Sequence, residues 1–93
     1  MKICAAVFDL QIPSSSSLKD KRKQIKGIVD SFRANFNVSA SEVAYHDKWQ
    51  RAAIGVAWIS ISPPKDDSLF SSLENIIVTR DEVVLLGIER RDY

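Results

Sequence analysis

Ser14-Ser15-Ser16-Ser17-Leu18-Lys19-Asp20-Lys21-Arg22 is the stretch in which a strand has to stop and a helix has to start. Before it, Cys4, Ala6, Phe8, Leu10 and Ile12 share one apolar side, while Asp9 and Gln11 close the other. That two-residue period belongs to a strand with one face on a core. Pro13 removes a backbone donor, and the serines supply turn and cap chemistry. Ser17 is the expected N-cap: its hydroxyl can accept from the amide of Asp20, whose carboxylate reaches back as a short capping box. Such a cap contributes about 1 kcal/mol. Beyond it, Leu18, Ile25, Ile28, Val29, Phe32 and Phe36 fall in a narrow arc at about 100° per residue, the stripe of a helix that covers a sheet. Lys19, Lys23, Lys26 and Arg33 take a polar flank, and Gly27 lies outward.

Working outward, Val38 to Tyr45 reads as a second strand whose apolar phase slips, which predicts a bulge near Ser41 and Glu42. His46, Asp47 and Lys48 form a tight polar connection to a long strand over Gln50 to Ser62, so the pair is a hairpin. In that strand Ala52, Ile54, Val56 and Trp58 make a bulky side, and Arg51, Ala53, Gly55 and Ala57 a small one. Apolar residues on both sides mark a central strand. Ser62, Pro63 and Pro64 signal a second helix, buried through Leu69, Phe70, Leu73, Ile76 and Ile77. A last strand is expected over about Glu82 to Glu89.

The order βαββαβ predicts an α+β, ferredoxin-like sandwich: a four-stranded antiparallel sheet with two helices on one face, built from residues 1–93 as a single domain. Its other face would carry Ile3, Ala5, Val7, Ala53, Gly55, Ala57, Val83 and Leu85. That patch is too apolar to leave in water, so a homo-oligomer through the open sheet face is the expectation.

Composition limits function. The 93 residues are 45% hydrophobic and 27% charged, ordinary for one globular domain, and Cys4 as sole cysteine excludes an internal disulfide or a cysteine-rich zinc site. No signal-peptide core or membrane-spanning run is present, which makes the cytoplasm the default location and argues against a membrane partner. The net charge is only +1, so attraction to nucleic acid must come from placement. Placement is uneven: Lys19 to Lys26 holds five cations and one acid.

Three segments, Ser17-Leu18-Lys19-Asp20-Lys21-Arg22, Phe36-Asn37-Val38-Ser39 and Asp47-Lys48-Trp49-Gln50-Arg51-Ala52 leading into Gly55-Val56-Ala57, resemble the YlxP-like family of small bacterial proteins, a domain family of unknown function. The resemblance extends over nearly the whole chain. It implies a ferredoxin-like fold and no known reaction. Members of the family tend to be encoded beside translation and ribosome-maturation genes, which implies an RNA or ribosome link.

Two clusters carry the candidate chemistry. At the start of the first helix, unpaired amides with Ser16, Ser17, Lys19, Lys21, Arg22, Lys23 and Lys26 could bind phosphate, since cations in a first turn otherwise oppose the helix dipole. The alternative for Lys21 and Arg22 is that their stems lie along the apolar stripe and their heads pair with acids. The second cluster is the hairpin set His46, Asp47, Trp49, Gln50 and Arg51 with Glu42. A lone histidine without a nucleophile does not make a catalytic site, so Asp47 reads as a turn former and Trp49 with Arg51 as an interface anchor. Phe8 and Trp58 sit where RNA-recognition motifs place stacking aromatics, but their parity assigns them to the core. The sequence therefore predicts a non-enzymatic binding protein without cofactor or metal, RNA- or ribosome-associated through the basic helix start. The alternative is a homo-oligomeric regulatory module binding a small anionic metabolite.

Overall fold

A computed structural model describes residues 1–93. Its elements are β1 (Ile3–Gln11), α1 (Leu18–Asn35), β2 (Ser39–Ala44), β3 (Arg51–Ile59), α2 (Pro63–Val78) and β4 (Val84–Asp92). The strands form one antiparallel sheet in the order β2-β3-β1-β4, the ferredoxin-like α+β arrangement that the alternation of elements implies.

The register of β1 on β3 pairs Cys4 with Trp58, Ala6 with Val56, Phe8 with Ile54 and Leu10 with Ala52. All eight are buried, and Ile25, Ile28, Val29 and Phe32 of α1 with Leu73 and Ile77 of α2 close over them. Phe8 lies between Phe32 and Phe70, with ring centroids 6.0 and 5.9 Å away. Strand parity thus sends both Phe8 and Trp58 inward, as the alternation requires.

Helix α2 opens with Pro63 and Pro64 in its first turn, where an amide has no intrahelical partner to lose. Asp66, buried one turn in, accepts from the amide of Ile61 and from the hydroxyl of Ser60.

Two local registers differ from expectation. The irregularity in β2 falls between Glu42 and Ala44, leaving Val43 as the extra residue rather than Ser41 or Glu42. Strand β4 starts at Val84 and runs to Asp92, and its register against β1 shifts between Asp9 and Leu10. An inserted residue reverses which side chains face the core on either side of it. Val83 and Leu85 are therefore not on the open face: Val83 is in the core and Leu85 packs against it. Gly87, Glu89 and Arg91 take their place, opposite Asp9, Val7 and Ala5.

Candidate nucleic-acid interface

Lys21 corrects the sequence reading of the basic helix start. It is 0% exposed, among the largest fully buried side chains of the protein, and so is not part of a cationic surface. Its position explains this: Lys21, Ile25, Ile28 and Phe32 are spaced by four, three and four residues, the inward stripe of α1. Its Nζ donates to the carbonyl oxygens of Tyr45 at 2.6 Å, Arg51 at 3.3 Å and His46 at 3.4 Å. Glu42 Oε2 lies 3.0 Å away as a counter-charge, without a directed hydrogen bond. A buried ammonium is tolerable only with such compensation, since its desolvation otherwise costs several kcal/mol.

The consequence is positional. Lys21 fastens the first turns of α1 to the β2–β3 hairpin. Gln50 repeats the link, its Nε2 donating to the carbonyls of Pro13 and Ser15, both at 3.3 Å. The helix start and the hairpin, two separate clusters in the sequence, are one surface in the fold.

The cap of α1 forms as expected. Ser17 Oγ accepts from the Asp20 amide at 3.1 Å, and Asp20 Oδ2 accepts from the hydroxyl of Ser16 at 2.7 Å and its amide at 3.2 Å. These bonds hold the Asp20 carboxyl below its ordinary value, with the Ser16 hydroxyl as the main cause. The Asp20 carboxylate thus takes both donors of Ser16, which leaves Ser16 none for an external anion.

The exposed cations of the helix start are Lys19, Arg22, Lys23 and Lys26. At 3.6 residues per turn, Lys19, Arg22, Lys26 and Arg33 lie within an arc of about 60°. Arg33 Nη2 donates to the carbonyl of Ala40 at 2.6 Å, which fixes that flank above β2 and hence on the hairpin side. Lys26 shares its charge with Asp30. Lys23 instead lines a recess of about 220 Å³ together with Asp20 and Glu82.

On the hairpin, Trp49 is 54% exposed, and Lys48, Asp47 and His46 are exposed around it. The His46 ring meets the carbonyl of Glu42 at 3.1 Å. Arg51 departs from the expected pairing with Trp49. Its Nη2 donates to both oxygens of Asp9 at 3.0 and 3.1 Å and to the hydroxyl of Tyr45, over whose ring it lies at 4.5 Å. The Asp9 carboxylate is the main reason that its guanidinium titrates above the usual value. Asp9 and Arg51 are diagonal neighbours on the open side of the sheet, Asp9 standing opposite Ala53 and Arg51 opposite Gln11, both with the parity opposite to the core.

No helix is long and apolar enough to cross a membrane, and no three His, Cys, Asp or Glu side chains are grouped to hold a metal ion.

Comparison with known proteins places the chain. A family described as "Protein of unknown function (DUF503)" matches residues 3–90. "Uncharacterized protein YlxP" of Bacillus subtilis (strain 168) is 45% identical over 51 residues, a match covering 55% of this chain and 55% of that protein. The matched stretch thus spans about half the length of that relative. Among solved structures, "De novo designed protein Foldit4" superposes with a TM-score of 0.56 at 10% identity, over 100% of this chain and 97% of its own. That likeness shows the fold alone. The chain belongs to the DUF503 family of proteins of unknown function and is similar to YlxP.

Proposed function

We propose that the joined surface of α1 and the β2–β3 hairpin binds single-stranded RNA, in a non-enzymatic role associated with RNA or the ribosome. The observation that carries this reading is Trp49, 54% exposed on a hairpin that Lys21 and Gln50 hold against the cationic flank of α1. An indole offered to solvent beside cations suits an unpaired base, which stacks on the ring while its phosphates meet the cations. A duplex, whose bases are already stacked, gains only the phosphate term. The chain's net charge of +1 gives no general attraction to polyanions, so Lys19, Arg22, Lys26 and Lys48 have to supply it locally. The closed cap of Asp20 on Ser16 weighs against a small anionic metabolite at the helix terminus itself.

Fluorescence anisotropy with labelled single-stranded and duplex RNA at low salt tests the reading. Single strands are expected to bind more tightly, with Trp49→Ala weakening them by about 1–3 kcal/mol and Lys19→Glu with Arg22→Glu sharply reducing the salt-sensitive part. Absence of association at low salt, or binding indifferent to Trp49, refutes it.

A further inference from the structure

The face of the sheet turned away from both helices is a second surface, independent of the RNA reading. Its floor is made of small residues, Ala5, Ala53, Gly55 and Ala57, and Val43 lies directly beside it: a Cβ on Gly55 would stand 2.8 Å from Val43 Cγ1. Around that floor rise Val43, Tyr45 and Ile59, exposed by 51%, 39% and 61%. Two recesses open toward the β4 side of this face, one of about 350 Å³ lined by Val7, Ala53, Tyr45 and Glu89, and one of about 260 Å³ lined by Ala5, Val7, Arg91 and Tyr93. Each has room for a large apolar side chain.

The charges on this face identify the occupant. Asp9 pairs with Arg51 at 3.0 Å, and Glu89 pairs with Arg91. Two acids and two bases leave the face neutral, so it has no attraction for RNA or for a partner of one charge sign. A neutral face whose ion pairs are already satisfied, with ridges as well as recesses, meets no charge repulsion from a second copy of itself. Its size agrees. Three strands of nine residues and one of six, about 4.8 Å apart and about 3.3 Å per residue, present roughly 500 Å² in projection; the accessible area of a face with side-chain relief exceeds its projection, toward the roughly 800 Å² per partner of a stable interface.

We infer that the open sheet face is the interface of a two-fold dimer, the occupant being a second copy of this chain packed sheet to sheet. A two-fold axis lying in the plane between the two sheets, along the strands, sets the β2 side of each copy, with Val43 and Tyr45, over the β4 side of the other, with its recesses. The two sheets lie about 10 Å apart, the ordinary spacing of face-packed sheets.

Light scattering on the chromatographed full chain tests this directly. The expected mass is twice the 10.5 kDa of the chain. Val43→Lys and Ile59→Lys, each at an exposed position on which the core does not depend, are expected to give the monomer mass with an unchanged far-ultraviolet circular dichroism spectrum. Lys23→Glu, on the other side of the molecule, is expected to keep the dimer. A monomeric parent, a parent larger than a dimer, or either face variant retaining the parent mass overturns the inference. RNA binding is not read in this experiment, so its outcome is separate from that of the proposed function.

Discussion

Lys21 Nζ donates to the carbonyl oxygen of Tyr45 at 2.6 Å, and Tyr45 is the one non-glycine residue with a left-handed backbone, φ 63°. That conformation costs an aromatic residue of the order of 1–3 kcal/mol. It turns the carbonyl of Tyr45 toward the helix while its ring goes to the opposite side of the sheet, under Arg51. The buried lysine and the strained tyrosine are two halves of one joint between α1 and the hairpin.

Lys21→Met keeps the aliphatic stem but removes the ammonium from three carbonyls, of which that of Tyr45 keeps the amide of Lys48, and leaves Glu42 without its counter-charge. The expected loss is about 3–5 kcal/mol, the range for breaking one side of a buried charge pair, read as a lower urea midpoint. Adding Glu42→Gln to Lys21→Met should recover part of the loss by removing the orphaned negative charge. An unchanged midpoint in Lys21→Met contradicts the joint.

The salt dependence of RNA binding divides the cations. Lys19→Ala, Arg22→Ala and Lys48→Ala should each reduce the slope of log K against log salt by about 0.7 if the side chain meets a phosphate of a single strand. Lys21→Arg should leave the slope unchanged, since position 21 never reaches solvent. Titrations of the anisotropy signal at several salt concentrations give these slopes.

Two glycine substitutions should have opposite signs. At Gly55 an added Cβ meets the Cγ1 of Val43 at 2.8 Å, a β-branched side chain stiff at χ1, so Gly55→Ala is expected to cost about 1–3 kcal/mol. At Gly27 the Cβ would meet only the tip of Arg80, 2.9 Å away, a flexible group that can swing aside. Gly27→Ala should therefore gain up to about 1 kcal/mol of helix propensity, less the weak bond from Arg80 to Gln24. Thermal melts of the two variants decide the signs.

Acid should loosen the entry to α2. The Asp66 carboxyl is held below its ordinary value chiefly by the hydroxyl of Ser60, against burial that acts the other way, with the amide of Ile61 assisting. The folded chain then binds fewer protons here than the unfolded one. This stabilisation is fully present above the ordinary carboxylate value of about 3.9 and is lost as pH falls through the lower folded value. Ser60→Ala removes the main cause and should move the acid-unfolding midpoint, followed by circular dichroism, to higher pH.

Cys4 provides a probe of opening. Burial pushes its thiol above the usual value, and Asp92 nearby adds to the shift. With a side chain 1% exposed, it should react with a disulfide reagent only when the β1–β3 region opens, so its labelling rate should follow stability across the variants above.

Much of the architecture was legible because its signals are local. The bond between Ser17 and Asp20 lies within one turn, and the inward parity of Phe8 and Trp58 needs only the two-residue period. Lys21 was not legible as buried. The period puts it in the stripe with Ile25 and Ile28, but an ammonium is normally kept in water, and the carbonyls that outweigh this cost come from residues 24 to 30 positions away. The open face was read correctly on β1 and β3 and wrongly on β4, because a single irregularity beside Asp9 and Leu10 inverts a parity that looks continuous in sequence. Arg51 was grouped with Trp49 by adjacency, whereas alternation and the attraction of Asp9 take it to the far side of the sheet.

The strand order also sets where the molecule opens last. β1 is bonded on one side to β3 and on the other to β4 along nearly its whole length, while β2 and β4 each leave one edge free. In deuterium exchange the amides of β1 and their partners on β3 should persist to the limit of global unfolding, and those of β2 should exchange earlier through partial openings. Because the partners of β1 lie far away along the chain, the pairing of this strand carries much of the loop-closure cost of folding.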